Sequence, residues 1–311
     1  MDATDVKIFC EMTFKSSLYS TFANRHVSPS TIGKKLGLAE KTVRARIGDM
    51  EERGFIKYYQ GVPNLAQFGF KRAISYRFEA LNIATKFSIL EELHTTLGLV
   101  EARDYLGPVI SLELTGESSQ QARKLAGAIA LRFELKRYEL LQSEPKEPSL
   151  HPDRLDWKIV QKLRYDARRP TRDVARELSI TRRMAEYRIE KLLRSGALSI
   201  RPLIDPQKQE GLIFYEMECS VAEEKQTAVM KHVRETYGEK LWAVNPLAHE
   251  LLLLNLFCFS LREPEEAATN LLSLEGVKMC SLFILKEIIE PKRPNWIDKL
   301  IEERSGSRID G

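Results

Sequence analysis

Residues 32–59 read IGKKLGLAEKTVRARIGDMEERGFIKYY, and residues 174–202 read VARELSITRRMAEYRIEKLLRSGALSIRP. The two stretches align at a constant offset of 142 positions, which pairs Leu36 with Leu178, Arg46 with Arg188, Ile47 with Ile189 and Gly54 with Gly196. The same offset still relates Gly69 to Gly211, so the register is kept over more than thirty positions. We interpret this pattern as a duplicated module within one polypeptide.

The second copy has the periodicity of three helices followed by a strand. Apolar residues spaced three or four apart predict one buried stripe in each helix: Leu155, Ile159 and Leu163; Val174, Ala175 and Leu178; Ala185, Ile189 and Leu192. Thr181 should cap the third helix, from about 182 to 194, because its hydroxyl can accept a backbone N–H. Gly196 should end that helix, and a strand, interpreted as a wing, should begin at Leu198. The pattern predicts a winged helix-turn-helix.

The first copy departs from this plan before its second helix. Asp5-Val6-Lys7-Ile8 matches Asp156-Trp157-Lys158-Ile159 at an offset of 151, so nine extra residues lie somewhere within 13–27. The inserted stretch, which carries Phe14, Tyr19, Phe22 and Arg25, should lengthen the first helix or add a loop; a contact with DNA or with the other half is the alternative.

Each winged helix leads into a predicted β-α-β-β-α-β series, typical of a ferredoxin-like sandwich. Strands are expected near 71–80, 99–107, 108–116 and 134–142 in the first half, and near 212–222, 239–246, 249–260 and 276–289 in the second. Helices are expected near 82–97, 118–132, 223–237 and 261–275, with Phe87, Leu90 and Leu93 on one apolar face. The fold class is therefore α+β in two tandem units: winged helix 1 at 1–65, sandwich 1 at 66–143, a proline-rich linker at 144–151, winged helix 2 at 152–206, sandwich 2 at 207–291 and a tail with a short helix at 292–311.

Composition excludes several classes of protein. The 311 residues are 43% hydrophobic and 30% charged, as in ordinary globular proteins, and no apolar run is long enough to cross a membrane. The four cysteines lack metal-site spacing, so we expect free thiols in a cytoplasmic protein, with no metal and no cofactor. The net charge of +4 is uneven: windows 28–60 and 170–202 carry +3 and +4, and the remainder carries −3. This distribution favours phosphate binding by the helix-turn-helix modules.

Three segments resemble the Lrp/AsnC (feast/famine) family of transcription regulators. They are LDWKIVQKLRYDARRPTRDVARELSI at 155–180, TVRARI with ERGFIKYY at 42–47 and 52–59, and IDPQKQEG at 204–211. The resemblance covers nearly the whole chain as two fused units. It implies a sequence-specific, cytoplasmic regulator of transcription that binds double-stranded DNA, dimerises through its sandwich domain and responds to a small effector such as an amino acid.

The third helix of each module is expected to enter the major groove. With Val43, Ile47 and Met50 buried, the helical period turns Lys41, Arg44, Ala45 and Gly48 outward. Their equivalents are Arg183, Glu186, Tyr187 and Glu190, so the two modules should bind different half-sites; Glu186 should repel phosphate or pair with Arg183. Arg46 and Arg188 border the buried stripe, where an ion pair within the module is an equal alternative to a phosphate contact. The candidate DNA-binding residues are Lys34, Lys35, Lys41, Thr42, Arg44, Ala45, Arg46, Lys57, Arg172, Arg176, Arg182, Arg183, Tyr187 and Arg188.

The two sandwiches differ in their strand patterns. In the first, polar residues at Arg77, Glu79, Arg103, Asp104 and Glu113 could line an effector pocket, or could form a solvated open face. In the second, HELLLLNLFCF at 249–259 and MCSLFIL at 279–285 are apolar on both faces and need a cover. We expect a homodimer through this surface; the alternative is that the first sandwich covers it within one chain.

Two other functions remain as alternatives. A siroheme-decarboxylase-like enzyme would have the same two-domain plan. However, the five histidines do not cluster with arginines or aromatics at matching positions, and no G-x-S-x-G, H-E-x-x-H or glycine-rich phosphate loop occurs. The expectation is therefore that the chain is not an enzyme and has no catalytic residues. An architectural DNA-binding protein with little sequence preference is the other alternative.

Overall fold

The computed structural model describes residues 1–13, 28–70, 72–143, 148–246 and 250–306. The inserted stretch, including Phe14, Tyr19, Phe22 and Arg25, lies outside these residues, as does half of the predicted linker, residues 144–147. In the described part of the chain, no helix has the length and apolar character required to span a bilayer.

The first unit contains three helices and a strand, followed by six more elements in sandwich order. Its elements are α1 (Ala3–Thr13), α2 (Pro29–Leu36), α3 (Glu40–Glu52), β1 (Ile56–Pro63), β2 (Arg72–Glu79), α4 (Ile83–Leu93), β3 (Leu99–Tyr105), β4 (Val109–Gly116), α5 (Ser119–Arg132) and β5 (Lys136–Ser143).

The second unit repeats this order and adds a C-terminal helix. Its elements are α6 (Arg154–Leu163), α7 (Thr171–Glu177), α8 (Arg182–Arg194), β6 (Leu198–Ile204), β7 (Ile213–Val221), α9 (Gln226–Tyr237), β8 (Leu241–Pro246), β9 (Leu251–Cys258), α10 (Arg262–Leu272), β10 (Val277–Ile289) and α11 (Trp296–Ser305). Helices and antiparallel sheets in this order confirm the predicted α+β fold class.

The ends of α8 show why these residues form a helix where they do. The Thr181 hydroxyl accepts the backbone N–H of Met184 at 3.2 Å, as expected of an N-cap. Gly196 follows the helix with φ of 74°, and Gly54 follows α3 with φ of 76°. Because this left-handed conformation suits glycine, the repeated glycine marks the same chain reversal in both units.

The strand after each helix-turn-helix differs from the wing that the sequence suggested. β1 and β6 pair with each other in an antiparallel two-stranded sheet, with Gln60 opposite Arg201. Each unit therefore supplies one strand of this sheet. This pairing joins the two helix-turn-helix modules directly.

The remaining strands form one eight-stranded sheet in the order β5-β2-β4-β3-β10-β7-β9-β8. Within each half, the order is that of a ferredoxin-like domain, in which the first and third strands are central. The halves join where β3 pairs antiparallel with β10, with Asp104 opposite Glu287.

The eight-stranded sheet folds back so that its two halves face each other. Three strands separate β2 from β7 in the sheet, yet Arg77 of β2 donates from Nη2 to Glu216 Oε2 of β7 at 3.1 Å. On the same inner face, Phe257 of β9 lies 6.0 Å, ring centroid to ring centroid, from Phe9 of α1. The first unit thus covers the apolar inner face of the second. The need for a cover, which motivated the homodimer, is met within one chain.

A set of buried polar side chains, here called the polar seam, fills the space between the halves: Arg77, Glu101, Arg103, Tyr105, Glu216, Glu218 and Asn255. Arg77 is 0% exposed and donates from Nε to Glu218 at 2.9 Å, while its guanidinium carbon lies 4.0 Å from the Phe283 ring centroid. Tyr105 donates its hydroxyl to Glu216 at 2.7 Å. Each carboxylate in these contacts is thereby matched to a donor in the opposite half.

Helix α4 corrects one detail of the predicted core. Leu90 and Leu93 are buried as expected, but Phe87 is 50% exposed. Lys86, at 1% exposure, lies inside instead and donates from Nζ to the Tyr105 carbonyl at 2.7 Å. An ion pair with Asp104 at 2.6 Å offsets the cost of burying the ammonium group. A hydrophobic pattern does not reveal such a pair, so it could not predict that Lys86 is buried.

Replacing Arg77 with Ala should lower the free energy of unfolding by about 3–5 kcal/mol, because it leaves Glu216 and Glu218 buried without this cation. Urea unfolding of the full chain measures the change. Arg132→Ala is the matched control, because the Arg132–Glu92 pair is largely exposed and should contribute no more than about 1 kcal/mol. Equal losses for both variants would contradict the role of the seam in closing the sheet.

Candidate nucleic-acid interface

Helix α3 presents one apolar and one polar face. Val43, Ile47 and Met50 are at most 4% exposed, as their spacing predicts. The exposed positions include four of the candidate DNA-binding residues: Lys41, Thr42, Arg44 and Ala45. The outward face can therefore offer two cations, a hydroxyl and a methyl group to a groove.

The Arg44 side chain is 61% exposed and pairs with Glu40, Nε to Oε1, at 2.8 Å. Glu40 stands four residues earlier on the same helix, so the pair is of the weak surface type. A phosphate or a guanine edge can compete for this guanidinium at small cost. Arg44 is the best-placed side chain for that exchange on the first module.

Helix α8 buries Ala185 and Leu192 and exposes a different set of side chains. Tyr187 is 65% exposed, and Arg183, Glu186 and Glu190 also face solvent. Glu186 pairs with Arg182 at 2.7 Å, so the expected pairing with Arg183 is wrong. The i,i+4 spacing on a helix favours Arg182 as the partner.

Arg46 and Arg188 each bind two carboxylates of the first helix of their own module. Arg46 Nη1 lies 2.9 Å from Asp2 and 2.7 Å from Asp5, and Arg188 Nη1 lies 2.7 Å from both Asp153 and Asp156. In both modules the same geometry fixes the third helix against the start of the first. This observation favours the ion-pair alternative over a phosphate contact for both arginines. The repeated Asp-x-x-Asp at 2–5 and 153–156 was the sequence signal.

The residues on β1 also contact the body of the protein. Lys57 Nζ lies 3.6 Å from Asp205 Oδ2, Tyr58 donates to Glu290, and Tyr59 donates to Glu51 at 2.7 Å. Burial raises the pKa of both tyrosine hydroxyls above the ordinary value. These contacts anchor β1 to the protein, so Lys57 is less accessible to DNA than the α3 residues.

The second helices contribute exposed cations at the edges of the modules. Lys34 and Lys35 lie on α2, and Arg172 and Arg176 lie on α7. Lys35 pairs with Glu11 at 2.6 Å, and Arg176 pairs with Asp173 at 3.0 Å. Their placement suits contacts with a phosphate backbone on either side of a groove.

A groove of about 460 Å³ runs beside α3, between that helix, β1 and the loop after α6. Arg44, Lys57 and Arg168 line it together with Glu51 and Asp166. Sequence reasoning did not single out Arg168, which lies over the Tyr59 ring at 4.4 Å and donates to Glu51 at 2.8 Å. The basic run in RYDARRP at 164–170 was the available signal.

The predicted effector residues of the first sandwich have a different role. Arg77, Arg103 and Asp104 are at most 7% exposed, so neither the pocket nor the solvated face is present there. The gap that remains between the halves measures about 20 Å³, lined in part by Ser75, Ser111 and Glu113. That space suits a water molecule and excludes an amino acid. Glu79 remains exposed at the end of β2.

Glu113 of β4 borders this gap. Burial, with Glu101 as a neighbouring negative charge, raises its pKa to about 7, although Arg201 and Arg103 act in the opposite direction. Glu101 differs, because contacts with Arg103 at 3.0 Å and Arg201 at 3.0 Å hold its pKa below the ordinary value despite burial. The two carboxyls therefore titrate in different pH ranges.

A cleft of about 580 Å³ opens between the end of α4 and the segment before α11. Its lining combines aromatic groups with cations: Phe70, His94, Lys292, Arg293, Trp296 and Lys299. The volume falls in the range of small-molecule sites. No group of His, Cys, Asp and Glu among the described residues is arranged to hold a metal ion.

Comparison with known proteins identifies the second module. Residues 153–193 match the model of the AsnC-type helix-turn-helix domain, a region that includes α6, α7 and most of α8. No curated protein matches the chain. The Escherichia coli AsnC structure is 14% identical with a TM-score of 0.37, covering 44% of this chain and 93% of its own.

Two crystal structures match along the whole chain. The siroheme decarboxylase NirDL is 11% identical with a TM-score of 0.55, covering 97% of this chain and 98% of its own. NirDL in complex with an iron-uroporphyrin III analogue is 12% identical with a TM-score of 0.54, covering 98% of this chain and 99% of its own. At such low identity the similarity is one of fold.

These matches correct the expectation that the chain is not an enzyme. That expectation is contradicted, because two solved structures that match 97% and 98% of the chain are those of an enzyme. The absence of familiar catalytic motifs did not justify it, since such motifs do not transfer between unrelated families.

Glu113→Gln should flatten the pH dependence of stability between pH 4.5 and about 7. A carboxyl with a raised pKa in the native state binds more protons there than in the unfolded state. The free energy of unfolding of the parent therefore falls as the pH rises through this window, and the variant should lack this part of the decline. Urea unfolding at a series of pH values measures it.

Glu79→Gln is the matched control, since Glu79 is an exposed carboxyl on the neighbouring strand and should leave the slope unchanged. The same slope in the Glu113→Gln variant as in the parent would show that this carboxyl does not titrate in the window.

Proposed function

We propose that the chain is a DNA-binding transcriptional regulator of the Lrp/AsnC kind with two unequal helix-turn-helix heads in one polypeptide. The observation that carries the proposal is the exposed face of α3, where Lys41, Thr42 and Arg44 stand opposite a buried apolar stripe. The match of residues 153–193 to the AsnC-type domain supports a second head. Net positive charge in both windows favours attraction to phosphates.

The pairing of β1 with β6 supports joint action of the heads. Antiparallel pairing relates the modules approximately as the subunits of a symmetric dimer are related. In dimeric regulators, such a relation sets the spacing between two half-sites. One chain can therefore present two third helices to one DNA duplex. A homodimer through the second sandwich would use a surface other than its covered inner face.

The exposed faces support an asymmetric target. Arg44 and Lys41 can donate to guanine O6 and N7, whereas Glu186 can accept from cytosine N4 and Tyr187 presents an aromatic ring. We therefore propose two different half-sites within one operator. The regulator would act in the cytoplasm, whose reducing conditions suit four cysteines that form no disulfide: Cys10, Cys219, Cys258 and Cys280.

A second candidate function is tetrapyrrole chemistry of the kind named for NirDL. The full-length match to NirDL, including its complex with an iron-uroporphyrin III analogue, favours it. The cleft beside α11 offers His94 with Lys292 and Lys299, which suit an anionic ligand, and Trp296, which suits a flat one. A flat ligand that carries several carboxylates would match both features.

Arg44→Ala should weaken binding to the preferred operator by about 1–3 kcal/mol and relax the preference at one base position. Sites selected from a random DNA library define the operator, and titration of the selected DNA measures the loss. Arg262→Ala is the matched control. Like Arg44, Arg262 is exposed and pairs with a glutamate one helical turn away, but it lies on sandwich helix α10.

Parent-like affinity and preference of Arg44→Ala on every sequence would contradict the assignment. Binding that falls steeply with salt but lacks any sequence preference would indicate an architectural protein instead. Identical half-sites in the selected DNA would contradict the asymmetry of the heads.

For the second candidate, titration of the chain with iron-uroporphyrin III should shift the absorption band of the ligand. Lys299→Glu should weaken this binding, because it replaces a cation of the cleft with a like charge to the ligand carboxylates. Lys231→Glu, on the exposed side of α9, is the control. An unchanged spectrum with the parent chain would eliminate this candidate and would leave the DNA proposal untouched.

A further inference from the structure

Cys219 and Cys280 face each other across two neighbouring strands. They are directly opposed in the β7–β10 ladder, and their Sγ atoms lie 2.9 Å apart. Opposed residues in antiparallel strands have Cα atoms about 4.5–5.5 Å apart, which falls within the range that a disulfide spans. A bond between the two sulfurs thus needs no rearrangement of the backbone.

The pair differs from the other two cysteines in access to solvent. Cys10 and Cys258 are buried, and burial raises the pKa of each thiol to about 12. Cys280 is only half-buried, and a hydrogen bond with Cys219 holds its pKa below the ordinary value. Reactivity of a thiol depends on its thiolate fraction and its exposure, and both favour Cys280.

The position of Cys280 in the sheet explains the exposure. β10 pairs with β3 only from Leu285 to Ile289, whereas residues 277–285 pair with β7. Around Cys280, one edge of β10 is therefore left without that neighbour, and Met279 is 51% exposed. Cys219, on the inner strand, packs among Met217, Val229 and Leu271 and can act only through its partner.

We propose that Cys219 and Cys280 form a reversible thiol–disulfide pair that is oxidised by a peroxide. The Cys280 thiolate attacks one oxygen of hydrogen peroxide, the O–O bond breaks, and the released hydroxide takes up a proton as water. Cys280 is then a sulfenic acid. The Cys219 sulfur attacks the Cys280 sulfur, the S–O bond breaks, and a second water leaves with the Cys219 proton. Two thiols have lost two electrons, and peroxide has been reduced to two waters.

Such a bond should also be easy to reduce. Cys280 is only half-buried, so a thiol reductant can reach its sulfur in the folded chain. Exposed or strained disulfides have the higher reduction potentials typical of regulatory pairs. A dithiol such as dithiothreitol should therefore restore both thiols in the folded chain.

The test treats the folded full-length chain with hydrogen peroxide and counts titratable thiols after unfolding. Two of the four thiols should be lost, the mass should fall by two hydrogen atoms, and peptide mapping should recover a Cys219–Cys280 link. Dithiothreitol should reverse all three changes. Cys10→Ser and Cys258→Ser are the controls and should still form the link.

In the Cys219→Ser variant, Cys280 should stop at the sulfenic acid, which dimedone traps. The thiol count and the peptide map of the parent chain test the proposal even if this variant fails to fold. A link that involves Cys10 or Cys258, a disulfide between two chains, or retention of all four thiols would overturn the proposal.

Discussion

The rest of the structure depends on the contact of Arg77 with Glu216 and Glu218 between the two halves of the sheet. These groups belong to strands that are not neighbours, so they can meet only if the sheet folds back on itself. Removing charged groups from water is costly, and the cost is recovered only when each charge finds its partner. The contact therefore permits one arrangement of the halves and penalises others.

Closure of the sheet positions the helix-turn-helix modules. β1 and β6 precede the strands of the two halves, and Arg201 of β6 donates to Gln60 of β1 at 3.1 Å and to Glu101 of β3 at 3.0 Å. One guanidinium thus ties the strand pair between the heads to the polar seam. The spacing of the heads is consequently a property of the whole chain rather than of a flexible linker.

Local features were predictable because they depend on neighbours in sequence. The limits of α8, its cap at Thr181 and the glycine at 196 follow from helical periodicity and capping. The seam was not predictable, because alternating polar residues along β2 look the same whether they face water or a second sheet. Similarly, the sequence left a phosphate contact and an ion pair within the module as equal alternatives for Arg46 and Arg188, because the partners, Asp5 and Asp156, lie far away in sequence.

The seam also decides which halves associate. The first half contributes the cations Arg77 and Arg103 to the polar seam, and the second half contributes Glu216 and Glu218. The seam residues of the second half include no cation. Two copies of the second half would oppose glutamates, and like charges in a buried interface are strongly unfavourable. Charge complementarity thus favours pairing of unlike halves over pairing of like ones. Because α3 belongs to the first unit and α8 to the second, the ion pairs that close the sheet also keep Arg44 and Tyr187 within the same assembly of unlike halves.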